Sequence, residues 1–423
     1  MSMSRFATAS GAGGALAITF LFACATSVEL GREQATEPDA GSDQTLPDAA
    51  ADERDAAADA IDDVAFDGVV TGACSVGGFC FEPVPLQAPL VGVSGSSPDD
   101  VWAVGASSIL RFRGTRWEQV YEYAGTTPAS ITFASIWATQ PDNVLAIAKD
   151  DNAMIVLVRY ASVDGGAPRF YEVPTNVRSS SLWVTPSADA AWIAANNGTL
   201  TRIYENGTGG IGRDDFVPKA SPSDTKNYMW TSVWGFAPDD VYAAGKEGSL
   251  FGGMLKAPPL LAHFDGEAWT ITVLPFPDEM SIDGLTGTPA AGQRRLWLST
   301  TEPGPGGPMS GIALLPVEDG AIGDVLLRQQ VTALSPCGSK IAWPVSETTT
   351  WMSNGKAVCR WDGTKLEPVS TSLGGLPTGL VRSIWAASKD EAWIVGEAVP
   401  QGVGFPTTGF AARRTKASGA SQP

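Results

Sequence analysis

Among 423 residues there is one histidine, His263, and that scarcity limits the chemistry open to the chain. A serine nucleophile activated by an imidazole would have to use His263. No Gly-x-Ser-x-Gly elbow running from a strand into a helix supplies the serine. His263 stands instead in Leu261-Ala262-His263-Phe264-Asp265-Gly266, at a place that Arg111 and Arg360 fill in two similar segments. It reads as a partly exposed strand residue. Two pairs of adjacent carboxylates, Asp99-Asp100 and Asp239-Asp240, could act as acid and base or as oxygen ligands for calcium. Each pair follows a proline, Pro98 or Pro238. Proline presets φ and aspartate caps a turn with its own side chain, so the pairs read as turn formers between two strands. No catalytic residue, metal ion or cofactor is expected from these groups.

The elements that carry these residues repeat. Residues 232–245 read SVWGFAPDDVYAAG, residues 92–105 GVSGSSPDDVWAVG, residues 135–148 SIWATQPDNVLAIA and residues 383–396 SIWAASKDEAWIVG. Each has an anchor residue, a polar turn with Asp, then an alternating apolar strand. Weaker copies begin near residues 181, 284 and 333, giving the anchors Ser94, Trp137, Trp183, Trp234, Leu285, Leu334 and Trp385. A second half follows: Ile109–Phe112 and Trp117–Val120, Leu261–Phe264 and Trp269–Val273, Val358–Trp361 and Leu366–Val369 are strands joined by turns with Gly. Glycine suits hairpin turns because they need positive φ. The expected fold is all-β: a single β-propeller of seven four-stranded blades. The weak fifth and sixth units leave six or eight blades open. The last unit lacks a fourth strand, and Phe81-Glu82-Pro83-Val84 matches Leu366-Glu367-Pro368-Val369. The N-terminal strand is therefore expected to pair with the C-terminal blade and remove the open edges. The recurring tryptophans (Trp102, Trp117, Trp137, Trp192, Trp234, Trp269, Trp385, Trp393) are expected to pack between blades.

Over residues 79–415 these units resemble bacterial β-propeller repeat proteins, related in style to Kelch, Asp-box and WD40 blades. The segment HFDGEAW is close to an Asp-box but lacks its Ser/Thr-x-Asp-x-Gly spacing, so no sialidase activity is carried over.

Residues 1–23 read as a signal peptide, with Arg5 ahead of an uncharged run from Gly11 to Ala23. Leu21-Phe22-Ala23-Cys24 resembles the lipobox of bacterial lipoproteins, although Phe22 departs from the small or branched residue usual there. The resemblance implies lipidation of Cys24, a membrane partner through that lipid, and, with Ala25 following, placement at the outer membrane or cell surface. Residues 24–70 form an acidic Ala/Asp-rich tether; 25–70 hold 13 acidic and 2 basic residues of the chain's net charge of −18. Like charge and little apolar content predict disorder there, and also in the tail 416–423. The expected domain is residues 71–415. Export favours disulfides among Cys74, Cys80, Cys337 and Cys359. Cys74 and Cys80 would close a small loop, and Cys337 and Cys359 fall on the second and third strands, or their ends, of one unit; other pairings stay open. No Cys-x-x-Cys points to a metal.

The expected function is a non-catalytic module, monomeric, binding an unknown protein or polysaccharide. Nucleic acid is not an expected partner, for no basic patch is present. Insertions at Lys246–Pro259, Thr301–Ser310, Glu397–Thr408 and Lys219–Tyr228 gather on one face of such a ring. They offer Phe251, Met254, Leu255, Met309 and Phe405 as binding residues. The alternative is an exported glycoside hydrolase or lyase using the central pocket. Converging Asp, Glu, Arg or Tyr there would favour the enzyme; an apolar or water-filled channel would favour the binding module.

Overall fold

Short apolar runs interrupted by Pro-Asp-Asp and Asp-Gly turns can satisfy their backbone by pairing with the next run in antiparallel register. The computed structural model describes residues 74 to 415 apart from short stretches, the longer being 124–130, 206–210, 249–253, 289–293, 331–336, 371–378 and 399–407. Cys24, the tether and the tail lie outside the described residues, as do Phe251, Leu334 and Phe405.

Blade 1 shows the plan, with strands Gly92–Ser97, Asp100–Gly105, Ser108–Phe112 and Trp117–Glu122 paired in chain order. The first strands of blades 2 to 7 are Thr132–Gln140, Ser181–Val184, Tyr228–Ala237, Ser281–Gly287, Ile341–Ser346 and Gly379–Ala386. Each first strand touches the next, and that of blade 7 touches that of blade 1, so the sheets stand in a closed ring. The fold is a seven-bladed β-propeller of four-stranded sheets, with one added short strand, Ala321–Ile322, in blade 5.

Blade 7 takes its outermost strand from the other end of the chain. Phe79–Glu82 pairs antiparallel with Thr408–Arg414, Phe79 opposite Arg414 and Glu82 opposite Ala411. The closing strand thus lies two residues before the expected Phe81–Val84, and Pro83, which has no N–H to give the ladder, follows its end. Phe79 and Phe81 turn inward, 0% and 3% exposed. Phe79 meets Trp351 of blade 6 edge-on at 5.8 Å, and Phe81 meets Phe410 at 6.0 Å. A Cys74–Cys80 disulfide closes the loop before this strand, and Arg414 donates to the Gly77 carbonyl at 2.9 Å.

Two units differ from the sequence reading. In blade 6, Ile341–Ser346 is the first strand and not the second, and Trp343 faces Trp351 across the ladder. This matches Trp385 opposite Trp393 and Trp183 opposite Trp192. Trp343, not Leu334, is the anchor. Pro344 and an Asp-free turn at Glu347-Thr348 disguise the hairpin. In blade 5 the residue opposite Trp297 is Thr286, one beyond Leu285. Cys337 consequently sits on the segment entering blade 6. Its disulfide to Cys359, on the third strand Val358–Trp361, ties that segment to the blade interior, with both residues buried.

Candidate functional site

The inner wall of the ring is built from a Ser-x-Trp pattern. Ser135, Ser181, Ser232 and Ser383 each stand two residues before an anchor tryptophan. Three of them accept a backbone N–H from the next blade: Ser181 Oγ from Val233 at 3.3 Å, Ser232 Oγ from Leu285 at 2.9 Å, and Ser383 Oγ from Val93 at 3.2 Å. The last of these crosses the seam between blades 7 and 1. At about 1 kcal/mol net each, such bonds fix the height of one first strand against its neighbour. They therefore fix the level at which the indoles reach the axis.

The residue after the anchor decides where each indole goes. A Cβ on Gly95 would fall 2.8 Å from Trp385, one on Gly235 2.5 Å from Trp183, and one on Gly287 2.4 Å from Trp234. In each case a tryptophan lies on the bare backbone of the following blade. Beyond Trp137 the equivalent place holds Val184, whose side chain denies it that bed. Trp137 reaches across the axis, its ring centroid 5.5 Å from those of both Trp234 and Trp343. Trp343 is fixed by donating Nε1–H to the Ala386 carbonyl at 3.0 Å.

The result is an axial pocket of about 390 Å³ on the face of the short turns, lined by Trp137, Trp183, Trp234 and Trp343 with Phe236 and Val345. Trp137, Trp234 and Trp343 are half-buried, whereas Trp102, Trp192 and Trp393 are enclosed between sheets. The expectation of inter-blade packing thus holds in full for the second set, while Trp137 and Trp234 pack against neighbouring blades and also face the axial pocket. Thr139 and Thr288 also line the pocket, and no titratable side chain does so among the described residues.

His263 lies away from this pocket. Its Nε2 is 2.8 Å from Asp240 Oδ1 and its ring stacks on Tyr242 at 4.4 Å. Arg294 of blade 5 pairs with the other Asp240 oxygen. In blade 1, Arg111 does the same work, bonded to Asp100 at 2.6 Å with its guanidinium 4.5 Å from the centre of the Trp102 ring. Asp99 pairs with Arg413 of blade 7 at 2.8 Å. The carboxylate pairs serve turns and inter-blade ties. Asp265 and Asp362 each accept two backbone N–H groups from their Asp-Gly turns. Those bonds, with one from the Thr364 hydroxyl, hold the Asp362 carboxyl down at about 2. Among the described residues no three His, Cys, Asp or Glu groups converge to hold a metal ion.

The opposite face carries the longer hairpins. Thr301–Ser310, read from sequence as a loop, is a β-hairpin arm in which Thr301 faces Ser310, Glu302 faces Met309 and Pro303 faces Pro308. Prolines within the ladder lack N–H groups, so the arm resists strand addition along its edges. Met309 is half-buried and packs beside Gly304 rather than standing free. Met254 and Leu255 begin the third strand of blade 4, Met254–Phe264. A second pocket of about 550 Å³ lies between the blade 4 hairpin and this arm, lined by Lys246, Lys256, Asp278, Glu279, Pro303 and Pro308 among others.

No protein-family model matches the chain, and the comparison with curated proteins finds no match. Solved propellers do match. YCF48 bound to D1 peptide is 15% identical with a TM-score of 0.51, over 80% of this chain and 97% of that one. YCF48 from Cyanidioschyzon merolae is 15% identical with a TM-score of 0.52, over 80% and 98%. The Cps50 (Swd1) β-propeller domain from Myceliophteria thermophila is 11% identical with a TM-score of 0.53, over 78% and 98%. At these identities the likeness is one of fold.

Proposed function

We propose that this chain is a non-catalytic binding module, exported and anchored through Cys24 at the outer membrane or cell surface, whose axial pocket receives an apolar side chain of a protein ligand. The observation that carries the reading is the pocket lining: indoles from four blades and, among the described residues, no charged group. Half-exposed tryptophans in a concave site are the usual anchors of protein binding energy. A carboxylate pair for glycoside hydrolysis has no counterpart among the residues that line it. The peptide-bound YCF48 structure shows that a propeller of similar fold can take a peptide.

The anchor is checked by radiolabelled palmitate in growing cells. Label should enter the full chain and fail to enter Cys24→Ala; equal labelling would remove the anchor from the proposal. The pocket is checked by selecting a random peptide library on the immobilised protein. Enriched peptides should carry a shared proline or aromatic residue and should bind Trp137→Ala at least tenfold more weakly, about 1.4 kcal/mol. Peptides that bind the variant as well as the parent would move the binding surface elsewhere.

A further inference from the structure

The pocket between blades 4 and 5 holds a cation that has no bonded counter-charge among the described residues. Lys246 ends the regular part of the second strand of blade 4 and is 5% exposed. Its ammonium donates to the backbone carbonyls of Asp278 at 3.0 Å and Met280 at 3.4 Å. An ammonium has three donors, and among the described residues no carboxylate accepts the third. Buried charges are ordinarily paired, because an unpaired one loses its hydration with nothing in return. Burial accordingly pushes the Lys246 pKa below its usual value, against the fields of Asp278 and Glu279, which favour the charge. Those two side chains stand exposed, and Glu279 is already paired with Lys256 at 2.7 Å. The pocket around the lysine is large enough for a side chain and walled by Pro303 and Pro308.

We infer that this pocket is a carboxylate receptor, in which Lys246 binds the side chain of an Asp or Glu from an acidic segment of a protein partner. The carboxylate would supply the missing acceptor and the counter-charge together. Asp278 at the rim opposes entry, so it sets selectivity: an acid must reach Lys246 closely enough to outweigh that repulsion. The site is on the face opposite the axial pocket and does not depend on it.

The test uses the folded full chain and fluorescence anisotropy of dansyl-Gly-Glu-Gly-amide at low salt. Binding should be at least tenfold tighter than for the Gln analogue. Lys246→Met and Lys246→Gln should each erase that difference, the second while keeping a donor for the carbonyls. Asp278→Asn should tighten binding about threefold, a gain that a lysine serving only to cap the connecting segment would not produce, and it keeps the question open to test should both lysine variants fail to fold. Equal binding of the Glu and Gln peptides would overturn the inference. So would binding that needs a free peptide C-terminus in place of the Glu side chain, or an unchanged affinity in Asp278→Asn.

Discussion

Alanine at both Phe79 and Phe81 is expected to open the ring. The closing strand is four residues long, so it has few ladder bonds to hold it. Its hold comes from two phenylalanines that are almost wholly buried. One is wedged against Trp351 in blade 6 and the other against Phe410 in its own sheet. Truncating a buried phenylalanine costs about 3–5 kcal/mol, so the pair would lose about 6–10. That is comparable with the whole stability of a typical domain. Urea unfolding followed by tryptophan fluorescence should show the cooperative transition lost or moved to far lower denaturant. Leucine at both positions, which keeps most of the apolar volume, should recover much of it. A double alanine variant unfolding within about 1 kcal/mol of the parent would mean that the seam is held by something else.

Gly235→Leu is the second large effect. The new Cβ would fall 2.5 Å from the Trp183 ring, which is 2% exposed, so ring or strand must shift. Overpacking of this kind costs about 1–3 kcal/mol where the core can shift. Here the clash is with an indole on a rigid first strand, and about 4 kcal/mol is expected. Trp183→Ala in the same chain should restore part of the loss, since it removes the obstructing ring, and a double-mutant cycle would report that coupling. If the two changes simply add, the tryptophan does not rest on Gly235.

The architecture was readable because chemistry recurs at fixed places. Pro-Asp-Asp turns, Ser-x-Trp anchors and a spare Phe-Glu-Pro-Val segment define blades and seam without any helix signal. The sequence misplaces the first strand of blade 6 because Pro344 follows Trp343 and its hairpin turn carries no aspartate. The axial pocket was not readable. Trp137, Trp183, Trp234 and Trp385 look alike along the chain, and their fates diverge through a residue one blade away: Gly95, Gly235 and Gly287 against Val184. Nothing local to Trp137 announces that Val184 will face it. In the sequence Lys246 marks only the start of an insertion, since its bonds are to carbonyls of the distant connection at Asp278 and Met280. Met309 reads as a loop residue because the arm's pairing, Glu302 against Met309, depends on a register that proline-rich sequence conceals.

The seam between Phe79–Glu82 and Thr408–Arg414 also governs when the molecule can exist. One of its strands is made before the strands of every other blade and the other after them; Gly77 and Arg414, bonded in the finished ring, are 337 residues apart. A nascent chain can assemble six sheets in sequence while the seventh still lacks its partner, and contacts of such long range form late. Until the C-terminal strand is in place, the N-terminal strand and the open side of blade 7 show unpaired edges to any other chain in the same state. Closure of the ring, more than the stability of any one sheet, is then the step that separates a finished protein from an aggregate.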